Sequence, residues 1–373
     1  MFVLPIAFFA IVTFSLLSLR TPIFIRSKRE STSASRKSAL PKISIVIPAR
    51  NEQDRLPGLF ESIDSQTFAP YEVIVADDES DDLTSSISNR YGATVVQVSG
   101  RPENIKPKAN ACDQGFNKSN GDVVVFLDAD TRLSNNFVEK IAEYFCDEEN
   151  KVLSIQPFHI SKKFLTSTAM FFHLASLVGS GLFSLLKFNA GLFGPCIAMR
   201  RDVYMRTKGF ANDDVKDSVI EDVELMKVLK SHDIRVERFM GTGLIEYTMY
   251  ENFSSMCLSW RKNITRGAKS APAIVTFSIV TLVGSLISIP IILIQGDKSP
   301  IAIAYLGISL LILWLLVINV AVRVGNYLLM AIFYPLSLIV FIAVFALSAF
   351  DLIFKRDVKW AGRSLSTKRT SNN

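Results

Sequence analysis

The chain has 373 residues, 49% hydrophobic and 20% charged, and its mean hydropathy of +0.29 is high for a soluble enzyme. Its four cysteines lack metal-ligand spacing and read as free thiols in a reducing compartment, which argues against a disulfide-stapled or zinc-built fold. The net charge of +6 arises from basic residues beside apolar stretches (Arg20–Lys42, Arg261–Lys269, Lys355–Arg369), which points to anionic lipid and not to nucleic acid.

Residues 1–19 carry no charged side chain, long enough for one membrane span. A signal peptide carries its positive charge before the apolar run and a small-residue cleavage site after it. Here Arg20, Arg26, Lys28 and Arg29 follow the run, so the segment reads as an uncleaved anchor. The positive-inside rule then puts residues 20–271 in the cytoplasm. Residues 20–41 form a basic polar linker.

Order begins with a strand at Lys42–Pro48, rich in β-branched residues. A helix over Asp54–Ser65 follows, then a strand from Tyr71 to Ala76 that ends at Asp77-Asp78. A helix near Asp82–Tyr91, a strand at Ala93–Val98, a helix at Lys108–Asn117 and a strand at Asp122–Leu127 complete the first half, 42–150. Strands alternating with helices predict an α/β fold with a mostly parallel sheet covered on both faces. Ligands in such sheets bind beyond the carboxyl ends of the strands. Arg50-Asn51-Glu52, Asp77-Asp78 and Asp128–Asp130 all fall there.

The second half, 151–271, is less regular. Ala169–Phe188 is apolar apart from His173 and Lys187 and reads as an interfacial or partly buried helix. Residues 272–294, 301–319 and 327–350 each read as a span, ahead of a basic tail at 351–373. Pro335 interrupts the last stretch. Either four crossings carry the tail to the other side, or the last stretch is re-entrant and the tail stays cytoplasmic.

The run Val123–Asp130 delivers two carboxylates, one residue apart, to the end of a strand. Hard carboxylate oxygens suit Mg²⁺ or Mn²⁺, which in turn clamp a diphosphate. Asp77-Asp78 ends a neighbouring strand. Carboxylates packed together without a cation raise one another's pKa, a cost that a divalent ion relieves. Pro48-Ala49-Arg50-Asn51-Glu52 follows a strand directly and suits contact with a base or ribose. Lys108 opens a helix and is either a surface lysine or a cation near a phosphate. His159, His173 and His232 read as structural.

The ordered set Pro48–Glu52, Asp77–Asp81, Lys108–Ala111, Asp128–Asp130, Phe193–Pro195, Gly209-Phe210 and Glu221-Asp222 resembles the family 2 glycosyltransferases with the GT-A fold. The resemblance covers residues 42–270. It implies a nucleotide-diphospho-sugar transferase fold, a Rossmann-like mixed sheet, here flanked by transmembrane helices. Within that family, Ser154–Lys162 and the four-span layout resemble bacterial enzymes that attach glucose to the carboxyl group of a C30 carotenoid acid.

By this resemblance Pro48, Ala49, Arg50, Glu52, Asp77, Asp78, Lys108 and Asp128 bind a UDP-sugar donor. Pro48, Arg50, Glu52 and Asp77 would contact its uracil and ribose. Asp128 and Asp130 would hold Mg²⁺ or Mn²⁺ on the diphosphate. Asp222 matches the general base, with Glu221 beside it. Phe193, Gly194 and Pro195 would line the side of a lipid-soluble acceptor, joined by Trp260 and Arg261. The expected protein is a multi-pass enzyme of the cell membrane with a cytoplasmic catalytic domain.

Two positions depart from the pattern. Glu79 stands where the family usually has Gly. The Gln-x-x-Arg-Trp motif is reduced to Trp260, with Met256 and Ser259 at the Gln and Arg positions, which argues against processive polymerisation. Arg261, Lys262 and Arg266 either replace the missing charge or form a membrane-facing collar. A different lipid acceptor is the nearest rival, and a non-catalytic sugar-nucleotide-binding scaffold is the rival from another class.

Overall fold

A computed structural model of the chain describes residues 40–99, 105–147, 151–179, 191–218, 220–270, 273–296, 299–354, 358–360 and 363–365. The expected anchor at 1–19 and nearly all of the linker lie outside these residues. So does the second part of the Ala169–Phe188 segment. The chain divides into two units: one from residues up to Phe158 together with 191–247, the other from 159–179 together with residues from Thr248 onward.

The first unit is built on a sheet of β1 (Ile43–Ala49), β2 (Glu72–Asp77), β3 (Thr94–Gln97), β4 (Val123–Leu127), β6 (Val152–Gln156), β7 (Cys196–Arg200) and β8 (Val236–Met240). The strand order is β3-β2-β1-β4-β7-β6-β8. Strands β1 to β4 run parallel, β7 is antiparallel to both β4 and β6, and β8 is parallel to β6. This is the mixed sheet of the GT-A fold. A short antiparallel pair, β5 (Thr131–Leu133) with β9 (Ile245–Tyr247), lies outside it.

Why these segments become strands is visible in β1 and β4, whose apolar residues are buried on both faces, as strands under two helical layers require. The pleat sorts them. Ile43, Ile45, Ile47, Val123, Val125 and Leu127 face one core with helices Leu56–Asp64 and Phe137–Phe145. Val46, Val124 and Phe126 face another with helices Pro107–Lys118 and Glu221–Ser231. Observed boundaries stay within about two residues of the expected ones, the usual uncertainty of helix and strand ends.

The second unit is helical. Ala273–Gln295, Pro300–Val324 and Tyr334–Ile353 hold three windows long and apolar enough to cross a membrane. The last expected span is divided at Phe333, between Leu328–Ile332 and Tyr334–Ile353. Pro335 lies in the first turn of the second piece, where its missing N–H leaves no hydrogen bond unmade. A shorter apolar helix, Met170–Gly179, follows a 3₁₀ turn at Phe164–Ala169. In this unit His159 pairs with Tyr327 (Nδ1 to hydroxyl, 2.5 Å) and its ring stands 4.6 Å from that of His173. Burial pushes the His159 imidazole down to about 3, so it is neutral.

Candidate active site

The site assembles where the parallel strands end. Register pairs Ala49 with Asp77, and Asp78 N–H donates to the Ala49 carbonyl at 2.9 Å. The loop after β1 is thereby sewn to the loop after β2. Arg50 Nη1 donates to the Asp78 carbonyl at 2.7 Å and stands 3.5 Å from its carboxylate. Asn51, in the left-handed region at φ 54°, accepts from Asp81 N–H and donates its own N–H to Ser80. Glu52 N–H donates to Thr84 Oγ1 at 2.9 Å, and its carboxylate receives Arg55 at 2.9 Å. Burial raises the Glu52 carboxyl, while Arg55 works against it.

Asp77 is buried, and both its oxygens are engaged inside this turn, by Ser80 N–H at 3.0 Å and by the Ser85 hydroxyl. It therefore shapes the loop. Glu79 also adopts a left-handed conformation, φ 56°, which is why Gly would fit this position with less strain. Its side chain is well exposed, 3.8 Å from Arg50.

Strand β4 ends on the acidic pair. The turn Asp128–Thr131 is closed by Thr131, whose N–H and hydroxyl both donate to the Asp128 carbonyl. Lys108, in the first turn of its helix, reaches Asp128 Oδ1 at 2.6 Å. Burial disfavours the charged ammonium, but Asp128 and Glu221 outweigh it and hold the amine protonated. The Oδ1 atom of Asp130 is buried and accepts no hydrogen bond among the described residues. Burial first, then Asp128, pushes the Asp130 carboxyl up to about 7. An unsatisfied buried carboxylate oxygen is costly.

The antiparallel register of β4 with β7 sets Leu127 opposite Cys196, so the loop before β7 returns beside Asp128. Asp128 N–H donates to the Pro195 carbonyl at 3.0 Å, and Leu192 N–H to the Asp222 carbonyl at 3.3 Å. A methyl group on Gly194 would stand 3.8 Å from Lys108 Nζ and 3.9 Å from Asp222 Oδ2. Lys108, Gly194 and Asp222 thus border one small gap. Burial and then Glu221 push the Asp222 carboxyl up to about 7, the range suited to a base near neutral pH.

Four further residues hold this region together without having been assigned a site role from the sequence: Arg55, Ser154, Arg238 and Tyr247. Tyr247 accepts from Gln156 at 3.1 Å, and burial followed by the Asp130 charge raises its phenol. Arg238 donates to the Gly191 carbonyl at 3.3 Å, and burial pushes its guanidinium down to about 10. The Ser154, Arg238 and Tyr247 bonds join residues far apart in the chain, and no local pattern announces them; the Arg55–Glu52 pair is local. Trp260 and Arg261 belong to the other unit. There Trp260 stacks on Phe172 with centroids 5.0 Å apart, and Arg261 pairs with Asp351 at 2.5 Å and 2.8 Å.

Residues 44–207 match the family model described as Glycosyl transferase family 2. The chain is 31% identical over 336 residues to the 4,4'-diaponeurosporenoate glycosyltransferase of Staphylococcus haemolyticus (strain JCSC1435), covering 87% of this chain and 89% of that protein. It is 34% identical over 255 residues to the protein of the same name from Staphylococcus aureus (strain USA300), covering 66% and 67%. The protein belongs to glycosyltransferase family 2 and is a glycosyltransferase. Among solved structures, a mannosyltransferase from Pyrobaculum calidifontis, in complex with GDP-Man and Mn²⁺, is similar in fold. Its TM-score is 0.52 at 15% identity, with 95% of this chain and all of that one covered.

Proposed function

We propose that this enzyme transfers a hexose, with inversion, from a UDP-sugar to the carboxyl group of a long polyene acid held in the membrane. The observation that carries the reading is the gap over Gly194, which the Asp128-paired Lys108 and Asp222 both border. The acceptor class is taken from the relatives' name, at 31% identity over most of both chains.

Pro48, Ala49, Arg50, Glu52, Asp77 and Asp78 form the nucleoside end, on loops that hydrogen bonds hold before the donor arrives. Asp128 and Asp130 fit a divalent cation, Mg²⁺ or Mn²⁺. Among the described residues no group of three or more His, Cys, Asp or Glu side chains gathers into a metal cage. A two-carboxylate site completed by phosphate oxygens is the habit of Mg²⁺, and the unsatisfied Asp130 oxygen is the ligand in waiting. When bound, such an ion stabilises the negative charge that develops on the leaving diphosphate.

Lys108 supplies a further positive charge toward that diphosphate. The acceptor oxygen enters from the opposite face of the sugar and attacks the anomeric carbon as the bond to UDP breaks. A carboxylic acid, with an unperturbed pKa of about 4, arrives already ionised, so Asp222 orients it and removes no proton. The catalytic unit is cytoplasmic, and the apolar helices anchor the chain in the membrane that holds its lipid. A second reading, a lipid hydroxyl as acceptor, is favoured by the Asp222 carboxyl at about 7. A hydroxyl needs that base.

The test is to incubate membranes carrying the enzyme with labelled UDP-glucose and either a polyene acid or a lipid alcohol. The proposal expects a labelled lipid that mild alkali cleaves, because a glycosyl ester is alkali-labile and a glycoside is not. An alkali-stable product would select the hydroxyl reading.

A further inference from the structure

The loop Gly191–Pro195 is the part of the site with the least side-chain chemistry of its own, yet it borders the reacting gap. What fixes it comes from two neighbouring strands. Ser154, on β6 and fully buried, accepts from Phe193 N–H at 2.7 Å and donates to the Phe193 carbonyl at 3.4 Å. Arg238, on β8, donates to the Gly191 carbonyl at 3.3 Å. Ser154 and Arg238 are register partners across the parallel β6–β8 pair. One rung of the sheet therefore holds the loop at two points.

The loop's other ties lead to the chemistry: Asp128 N–H to the Pro195 carbonyl, and Leu192 N–H to the Asp222 carbonyl. A shift of the loop moves Gly194 relative to Lys108 and Asp222, both within 4 Å of where a Cβ on Gly194 would stand. We infer that Ser154 and Arg238 are positioning residues, which hold the Gly191–Pro195 loop and with it the spacing between Lys108 and Asp222 that transfer requires. Neither need touch a substrate. The inference rests on the proposed roles of Lys108 and Asp222.

Ser154→Ala in the full-length membrane enzyme tests this. A misplacement of about 1 Å at a reacting centre costs on the order of 10²-fold in rate. The expected result is a fall in kcat of about that size, with UDP affinity and donor KM unchanged within about twofold. The control is Ser44→Ala. Ser44 is equally buried and doubly bonded, donating to Glu72 at 2.6 Å and accepting from Gly121 N–H at 2.8 Å, but it sits at the other end of β1. It should lose similar thermal stability and keep kcat within about twofold.

Equal losses of kcat in the two variants would overturn the inference, as would a loss of donor affinity in place of turnover. If Ser154→Ala does not fold, Arg238→Lys carries the test. Lysine keeps the charge but not the fork geometry, and kcat should fall about tenfold with donor affinity intact. An unchanged kcat there would overturn the inference. Asp130→Ala, measured alongside, separates the two layers, since full activity in that variant would sink the donor-site reading whatever Ser154 does.

Discussion

Lys108 and Asp128 form an ion pair of 2.6 Å that ties the first turn of one helix to the carboxyl end of β4. The pair sets a cation beside a carboxylate at the place proposed for the diphosphate. It also leaves Asp128 with a counter-charge before any donor is present.

Lys108→Met keeps most of the length of the side chain and removes the charge. Transfer should fall by about 10²–10³-fold, the usual cost of deleting one preorganised electrostatic partner. UDP binding should weaken as well. Both are read from initial rates and from titration of UDP. A loss below tenfold would place Lys108 outside the reaction.

Asp130 gives a pH signature to metal binding. Its carboxyl is pushed up to about 7 in the folded protein, against an ordinary aspartate value of about 4. The folded state thus holds the proton more tightly, and metal-free stability declines as pH rises from about 4 to 7. A divalent ion needs the ionised form, so its affinity should climb over the same window and level off above it. Mn²⁺ should raise Tm more at pH 8 than at pH 6, and Asp130→Asn should abolish the difference. Equal shifts at both pH values would count against Asp130 as a ligand.

Asp222 should report on the acceptor. With a hydroxyl acceptor, the rate should rise as pH climbs through about 7, where the Asp222 carboxyl loses its proton. Asp222→Asn should then cost about 10²–10⁴-fold. With a carboxylate acceptor, the profile should stay flat across that range and the same substitution should be mild. Rates for both acceptors at pH 6, 7 and 8, with Mn²⁺ at saturation at each pH, decide between them.

Gly194→Ala fills the gap without a clash, since the added carbon would meet Lys108 and Asp222 at ordinary contact distances of 3.8 and 3.9 Å. The variant should fold and bind UDP normally, yet lose about 10²-fold in transfer. Wild-type turnover would show that the reacting atoms pass elsewhere.

In the helical unit, Asp351 is buried and Arg261 only partly so, and they meet in a two-pronged pair. Removing one partner of a buried pair costs about 3–5 kcal/mol. The 33% exposure of Arg261 favours the lower end. Asp351→Leu should lower Tm in detergent clearly, and Arg261→Met with Asp351→Leu should recover much of the loss. An additive double variant would mean the pair contributes little.

The sheet was legible because β4 is an unbroken apolar run, β1 is one but for Ser44, and each is followed by polar residues. The three long apolar helices were legible by length alone. What local pattern could not reveal is partnership. Ser154 looked like the first residue of a motif of unassigned role, and its bond to Phe193 spans 39 positions. Arg261 read as a charge beside the diphosphate or the membrane, and its bond to Asp351 spans 90. Asp77 read as a donor contact, and its bonds to Ser80 and Ser85 inside the turn were not foreseen. That is a property of the folded turn, not of the dipeptide.

The backbone link between Asp128 and Pro195 has a consequence for redesign. The strand proposed to grip the donor and the loop proposed to face the acceptor cannot be retuned separately, because one amide hydrogen belongs to both. Libraries aimed at new acceptors should therefore leave 191–195 untouched and vary the side chains around it. Broader substrate range gained by loosening that loop would come with a slower enzyme.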